Sequence, residues 1–182
     1  VGMVRDSIIK WQIKNNAMYQ PWSLPVVAET SDGGVNDINK FFVEEKHVMS
    51  ALDSATSGFI AEGNVGGGTG MICYEFKGGT GTASRKLPEE FGSWTVGALA
   101  QCNFGRRNQL TIAGVPVGKH LTEDIPDRHG ESSFKQDDGS LIVIVGTDAP
   151  LLPHQLKRVA RRVSLGMART GSLGGNGSGD IF

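Results

Sequence analysis

The sequence predicts a layered fold of mixed helices and strands, of the α+β or α/β class, and two segments carry this prediction. Residues 141–145 ("LIVIV") are rich in β-branched residues without polar alternation, which is typical of a central strand covered on both faces. Residues 152–167 place apolar side chains on one helical stripe and basic side chains on the opposite face. Such a helix packs on a sheet, and a layered fold results.

The segments before the "LIVIV" run supply the other elements. Residues 1–15 and 46–55 have apolar residues three and four apart, which predicts two helices, the second of them capped by Gly58. Short β-prone segments between glycine-rich turns predict strands at residues 71–76, 94–102 and 110–117. The polar run at residues 119–139 predicts a long solvated loop.

The segments after this run complete the pattern. Pro150 or Pro153 lies near the start of the predicted helix, where a missing N–H costs least. Residues 169–182 predict a glycine- and serine-rich turn that leads into another strand. The chain contains 26 glycines, about twice the usual share of roughly 7%. We therefore expect many tight turns or close backbone contacts.

The composition excludes several function classes. The chain has 182 residues, with 18 Lys and Arg against 19 Asp and Glu, and so lacks the basic excess typical of nucleic-acid binding. No apolar run approaches the ~20 residues that cross a bilayer, and no signal peptide is visible, so we expect no membrane contact and a cytoplasmic location. Val1 and Phe182 interrupt structured patterns, and we expect residues 1–182 to be part of a single, longer domain.

The residue types that hold metals or disulfides show no suitable pattern. Cys73 and Cys102 lie among apolar or small neighbours, which favours small buried hydrophobes over a disulfide framework. The four histidines lack metal-ligand spacing, so we expect neither a metal nor a cofactor. The sequence "GNVGGGTG" lacks the Lys-Ser/Thr ending of a phosphate loop, and no Ser-His-Asp triad is visible.

A serine opens the predicted central strand, directly after Gly139 and the polar loop. The simpler interpretation of Ser140 is a residue that starts a strand. The alternative is a self-cleavage site, in which Ser140 Oγ attacks the carbonyl of Gly139. Gly139 has no side chain to hinder the attack. Cleavage would place the hydroxyl beside a new α-amine, whose ordinary pKa near ~8 leaves it partly neutral and able to act as a base.

Four segments together carry a resemblance to a known family. They read "AEGNVGGGTGMICYEFKGGTGTASR", "VGALAQCNFGRRNQLTIAGVPVG", "GSLIVIVGTDAPLLPHQLKRVARR" and "ARTGSLGGNGSGDIF". In order and spacing they resemble the self-processing L-aminopeptidase/D-esterase family, which includes the β-peptidyl aminopeptidases. The resemblance extends over residues 25–182.

The resemblance implies a fold, a maturation step and an activity. The fold would be a four-layer αββα sandwich like that of the N-terminal nucleophile hydrolases, with different connectivity. Self-cleavage would separate residues 1–139 of a first subunit from residues 140–182 of a second, and the processed pairs would form a homo-oligomer. The enzyme would release N-terminal residues from short peptides, amides or esters, without a metal or cofactor.

The resemblance also implies a role for each candidate residue. Ser140 corresponds to the nucleophile and Asn103 to the donor that stabilises the oxyanion. Ser178 corresponds to a serine that relays or positions the proton, and Asp180 to the acid that orients this serine and is a candidate to bind the ammonium of the substrate. Taken without the resemblance, Asn103 and the sequence "GSGD" would be ordinary turn residues. Period-two geometry places Ser178 and Asp180 on one side of an extended segment.

Two departures from the family leave other functions open. A family tyrosine near the oxyanion has no counterpart in the turn "ETSDGG", where Ser31 stands. The family's N-terminal third and C-terminal remainder are also missing from the sequence. A non-catalytic binding or assembly module that keeps the fold is therefore the second hypothesis, and it predicts an uncleaved chain. An acyltransferase that uses the same serine with an amine acceptor is the third.

Overall fold

The computed structural model describes residues 1–125 and 138–182, which form two compact units. The units are made of Val1–Glu29 with Asp37–Phe59, and of Thr30–Asn36 with Ile60–Phe182. Among the helices of the described residues, none is long and apolar enough to span a bilayer. All the candidate catalytic residues belong to the second unit.

The first unit is built on two helices, α1 (Gly2–Lys14) and α2 (Glu45–Asp53). Both helix predictions are therefore confirmed. The two helices are joined by side chains, since the Trp11 indole N–H donates to Asp53 Oδ1 at 2.7 Å. The acceptor is in the last turn of α2, so this bond fixes the end of the second helix against the first.

The predicted cap of α2 at Gly58 is wrong. The helix ends at Asp53, and the next residue, Ser54, donates both its N–H and its hydroxyl to the carbonyl of Ser50. These two bonds satisfy a carbonyl that the end of a helix otherwise leaves free. Gly58 does have a left-handed φ of 109°, but it lies in the loop that follows.

A short hairpin begins the β-structure of the second unit, with strands β1 (Ile72–Cys73) and β2 (Phe76–Lys77). The sequence predicted a single strand over residues 71–76. The chain instead reverses at Tyr74 and Glu75, which have φ of 51° and 58°. A positive φ is unfavourable for residues with such side chains, so tertiary contacts must stabilise the turn.

Tyr74 supplies those contacts. Its N–H donates to the carbonyl of Phe104 at 2.8 Å, and its ring packs edge-on against the Phe104 ring with centroids 5.2 Å apart. Its hydroxyl lies 2.7 Å from that of Thr170. The hairpin is thereby fixed to residue 104, immediately after one of the candidate catalytic residues.

A four-stranded sheet forms the centre of the second unit. Its strands are β3 (Thr80–Lys86), β4 (Thr95–Asn103), β5 (Asp138–Thr147) and β6 (Gly177–Ser178). They lie in the order β3-β4-β5-β6, with the first two pairs antiparallel and β5-β6 parallel. The predicted strands at residues 94–102 and 141–145 are confirmed, and β5 is central in the sheet, as predicted.

The single helix predicted over residues 152–167 is in fact two helices, α3 (Pro153–Ala160) and α4 (Val163–Arg169). The first of them begins at a proline, as predicted. Between them the Ser164 hydroxyl donates to the Arg161 carbonyl at 2.8 Å. Such a local side-chain bond competes with the regular helical pattern, and it accompanies the break here.

The core lies on one face of the sheet and is covered by α4. Its buried members are Tyr74, Phe104, Leu141, Val143 and Met167. Cys73 and Cys102 are free thiols packed against this cluster, in agreement with the prediction of small hydrophobic side chains. A hydrogen bond with Cys102, together with burial, raises the pKa of Cys73, so it stays a thiol. On the other face of β5, Ile144 is 64% exposed within this chain, so residues 1–182 do not by themselves cover both faces of the strand as predicted.

The predicted strand at residues 110–117 is also wrong. The chain reverses there through Ala113 and Gly114, with φ of 50° and 86°, and Ile112 and Val115 exchange backbone hydrogen bonds across the turn. Two successive left-handed residues form a tight reversal. The apolar residues of this segment therefore flank a turn and are not part of an extended strand.

The predicted loop at residues 119–139 is described only in part. Its described beginning is held by Arg107, whose guanidinium donates to the carbonyls of Leu121 and Glu123 at 3.2 and 3.0 Å and stacks over the Phe76 ring. Residues 126–137 lie outside the described residues. At its far end the loop is shorter than predicted, because β5 already begins at Asp138.

Candidate active site

Ser140 and Asn103 form the centre of the candidate site. They are direct partners on the antiparallel strands β5 and β4, and the Asn103 side-chain nitrogen lies 3.3 Å from Ser140 Oγ. Ser140 is buried, with 8% of its surface exposed. It is the third residue of β5 rather than the first, so the prediction that it opens the strand is wrong. The bond before it is part of an extended, paired backbone.

The surroundings of Asn103 determine the orientation of its side-chain amide. The Ile72 N–H donates to Asn103 Oδ1 at 3.1 Å, and Asn103 Nδ2 donates to the Ser31 carbonyl at 2.6 Å. An N–H can only donate and a carbonyl can only accept, so the two contacts assign the oxygen and nitrogen of the amide. One N–H of Asn103 is bonded to Ser31, and the other is directed at Ser140.

The residues around Ser31 cover this part of the sheet. The Thr30 hydroxyl accepts a hydrogen bond from the side-chain amide of Gln101 at 2.9 Å. Gln101 lies two residues before Asn103 on the same strand. Ser31 takes part through its backbone carbonyl rather than its side chain. The turn that contains Ser31 therefore contacts the site, as an acceptor for Asn103.

Gly139 is closely packed, which explains why a glycine is needed there. A Cβ atom added at residue 139 would lie 2.9 Å from the Cβ of Phe104 and 3.1 Å from its Cα. Real Cβ atoms essentially never approach a neighbour so closely. The Gly139 carbonyl accepts a hydrogen bond from the Gly179 N–H at 3.0 Å. The carbonyl next to Ser140 therefore has a backbone donor already in place.

Ser178 and Asp180 lie on the other side of the same peptide bond. The Ser178 hydroxyl donates to Asp180 Oδ1 at 2.6 Å, so the structure brings these two predicted site residues together. The parallel register aligns Ser178 with Gly139, one residue before Ser140. Among the hydrogen bonds of the described residues, none joins the Ser140 and Ser178 hydroxyls directly. The two serines therefore flank the bond without touching in the intact chain.

A small cleft opens on the Gly139 side of this bond. Its lining includes Phe104, Arg106, Gln109, Gly139, Leu173 and Ser178. Neither Asn103 nor Ser140 contributes to this lining. Gly139 thus borders this cleft, whereas Ser140 is buried.

The side chains able to coordinate a metal ion do not cluster in the described part of the chain. Within residues 1–125 and 138–182 no three side chains of His, Cys, Asp or Glu are grouped so as to hold a metal ion. The polar groups at the site are hydroxyls, one amide, one carboxylate and backbone groups. These are the groups of a serine-centred acyl-transfer site, in which a hydroxyl attacks a carbonyl beside fixed hydrogen-bond donors.

The chain belongs to peptidase family S58, whose family model matches residues 1–182. It is 51% identical to the beta-peptidyl aminopeptidase BapA of Sphingosinicella microcystinivorans and 46% identical to that of Sphingosinicella xenopeptidilytica. Both alignments cover 100% of this chain, and 48% and 47% of the respective relatives. The chain therefore spans about half the length of these relatives.

Solved structures show which fold the chain has. A Burkholderia beta-aminopeptidase superimposes with a TM-score of 0.89 at 49% identity, over 100% of this chain and 48% of the other. The L-aminopeptidase D-Ala-esterase/amidase of Ochrobactrum anthropi is described as a new variant of the Ntn hydrolase fold. It superimposes with a TM-score of 0.87 at 51% identity, over 100% of this chain and 49% of the other. The predicted α+β fold, related to the N-terminal nucleophile hydrolases, is thus confirmed.

Sequence reasoning missed the backbone part of the site. The Ile72 N–H, the Ser31 carbonyl and the Gly179 N–H each contact a predicted site residue. Backbone groups occur at every position, so no residue type marks them.

Proposed function

We propose that the protein containing this chain is a serine aminopeptidase that cleaves itself between Gly139 and Ser140 and then uses Ser140 as an N-terminal nucleophile. The contact between Asn103 Nδ2 and Ser140 Oγ, at 3.3 Å, is the observation that supports it most directly. The names of the relatives, beta-peptidyl aminopeptidase and L-aminopeptidase D-Ala-esterase/amidase, support the same class of activity.

Self-cleavage begins with the hydroxyl of Ser140. Its Oγ adds to the Gly139 carbonyl carbon, the carbonyl electron pair moves onto oxygen, and the Oγ proton passes to the Ser140 nitrogen as the C–N bond breaks. The product is an ester between Gly139 and Ser140 Oγ, which water hydrolyses to a carboxylate and a free hydroxyl. The lack of room for a side chain at residue 139 supports a need for glycine in this step.

Substrate hydrolysis then uses the same oxygen with a new base. The α-amine released at Ser140 accepts the hydroxyl proton, directly or through Ser178, as Oγ attacks the substrate carbonyl. As a relay, Ser178 accepts the Ser140 proton on a free lone pair and passes its own hydrogen to the α-amine, for which this hydrogen turns away from Asp180, its acceptor at 2.6 Å. Asn103 is the proposed donor to the oxyanion, since its amide is fixed on both sides.

The cleft beside Gly139 supports a position for the substrate. In self-cleavage Gly139 is itself the acyl group, so the residue released from a substrate would occupy the same place next to Ser178. We propose short peptides, amides or esters as substrates, with β-amino acids included because two relatives are named for them. The whole enzyme is proposed to be a cytoplasmic homo-oligomer of processed subunit pairs.

Hydrolysis of aminoacyl and β-aminoacyl p-nitroanilides by the full-length protein tests this proposal. We expect the parent to release p-nitroaniline, and Ser140→Ala to remain inactive at every substrate concentration. Ser140→Cys keeps a nucleophile and serves as the conservative comparison. If the parent is folded but releases no product from any substrate, the second hypothesis of a non-catalytic module replaces this one. Product transferred to an added amine, with little hydrolysis, would instead indicate the acyltransferase.

A further inference from the structure

The carbonyl of Gly139 and the N–H of Gly179 are joined by a hydrogen bond of 3.0 Å. Gly139 provides the carbonyl that the proposed self-cleavage attacks, and its oxygen acquires the negative charge. An oxyanion hole needs a fixed donor about 2.7–3.1 Å from the place where the charged oxygen will stand, and the Gly179 N–H is the backbone donor already bonded to this oxygen before attack. Asn103, by contrast, donates to Ser31 and approaches Ser140 Oγ, and within the described residues it has no hydrogen bond to the Gly139 carbonyl.

We propose that the Gly179 backbone N–H is the oxyanion donor of self-cleavage, so that maturation and substrate hydrolysis do not depend on the same donor. This inference rests on the self-cleavage proposed above. When Ser140 Oγ bonds to the Gly139 carbon, the electron pair of the carbonyl moves onto an oxygen that already accepts from Gly179. When the C–N bond breaks, the pair returns to re-form the carbonyl of the ester.

The surroundings of Gly179 hold its N–H in place. The hydrogen bond from Ser178 to Asp180, at 2.6 Å, spans this residue and restrains the backbone on both sides. Two further bonds continue the same pairing, from the Ile181 N–H to the Leu141 carbonyl at 2.8 Å and from the Val143 N–H to the Ile181 carbonyl at 3.0 Å. A donor fixed before the reaction needs no reorganisation when charge develops.

The role of Ser178 and Asp180 is therefore wider than a proton relay. Their hydrogen bond positions the Gly179 N–H before cleavage, and it remains available as a relay after cleavage. A glycine fits between them without being required by space, since a Cβ at residue 179 would meet nothing within 4 Å.

Replacing the amide by an ester tests the donor itself. Glycolic acid at position 179, introduced into the full-length protein by nonsense suppression, replaces the N–H by an oxygen and changes no side chain. The matched control is the α-hydroxy analogue of isoleucine at position 181, which removes the neighbouring bond to the Leu141 carbonyl. Cleavage is followed by intact mass after translation, with Ser140→Ala as the uncleaved reference.

We expect the ester at 179 to slow cleavage by about 10²- to 10³-fold, the usual effect of losing one oxyanion donor. The ester at 181 should cleave within a few-fold of the parent. Equal rates for the parent and the ester at 179 would overturn the inference, and so would equal slowing by the two esters, because a weakened sheet would then explain both. A parent that never cleaves would instead overturn self-cleavage itself.

Discussion

Asn103 and Ser140 are paired across β4 and β5, with the amide nitrogen 3.3 Å from the hydroxyl oxygen. The pairing depends on two other segments, because Ile72 and Ser31 bind the remaining atoms of the amide. A displacement of either segment would therefore change how Asn103 faces the nucleophile.

Asn103→Asp tests the donor function of this amide. A carboxylate still accepts from the Ile72 N–H, but it donates neither to the Ser31 carbonyl nor to an oxyanion, so we expect kcat/KM of the processed enzyme to fall by about 10²- to 10³-fold. Gln101→Ala is the control, since it loses a hydrogen bond to Thr30 in the same covering segment without contacting Ser140. Steady-state hydrolysis of a p-nitroanilide measures both. Equal activity of Asn103→Asp and the parent would exclude Asn103 as the donor.

Gly139→Ala tests the packing at the cleavage bond. The added Cβ would lie 2.9 Å from Phe104 Cβ, so the strand must shift and self-cleavage should slow by at least about tenfold, for a displacement near 1 Å. Gly146→Ala, on the same strand with nothing within 4 Å of the new Cβ, should cleave at the parent rate. Time courses of intact mass compare the three proteins. Similar slowing in both variants would point to a general effect of glycine on β5.

Ser178→Ala and Asp180→Asn test whether these two residues act as a unit. The 2.6 Å hydrogen bond between them predicts that each substitution lowers kcat of the processed enzyme, by about 10²- to 10⁴-fold for a proton relay. The double variant should be no slower than Ser178→Ala, because residues that act together are not additive. Fully additive losses in this double-mutant cycle would mean that the two residues act separately.

Tyr74→Phe tests the turn that fixes the hairpin. The variant loses the hydrogen bond to Thr170 and should lower the free energy of unfolding by about 1 kcal/mol. The effect stays moderate because the Thr170 hydroxyl keeps its bond to the Met167 carbonyl at 2.8 Å. Tyr19→Phe, at a position 98% exposed, should leave stability unchanged. Urea unfolding measures both, and equal stabilities would mean that the Tyr74 hydroxyl does not stabilise the turn.

The regular elements could be predicted from the sequence wherever a single period persisted. The helix α1 was predicted from such a period, whereas the strand β5 was predicted from an unbroken run of β-branched residues. The break between α3 and α4 was missed because the apolar stripe of the sequence continues through it. The hydrogen bond from the Ser164 hydroxyl to the Arg161 carbonyl, which accompanies the break, leaves no trace in that pattern. The hairpin was missed because Tyr74 and Glu75 adopt left-handed φ only where tertiary contacts stabilise it.

The candidate site could be predicted for its side chains but not for its backbone. Ser140, Asn103, Ser178 and Asp180 were recognised through family resemblance, and the structure brings them to one peptide bond. Their partners at Ile72, Ser31 and Gly179 act through N–H and carbonyl groups, which every residue has. Only the register of the strands reveals which of those groups point at the site.

The central claim is that Ser140 becomes a chain terminus, and intact mass combined with N-terminal sequencing of the mature full-length protein tests it most directly. We expect two fragments, one of which begins at Ser140, and a single unbroken chain for Ser140→Ala. An active parent whose Gly139–Ser140 bond is intact would contradict the account and would require another nucleophile.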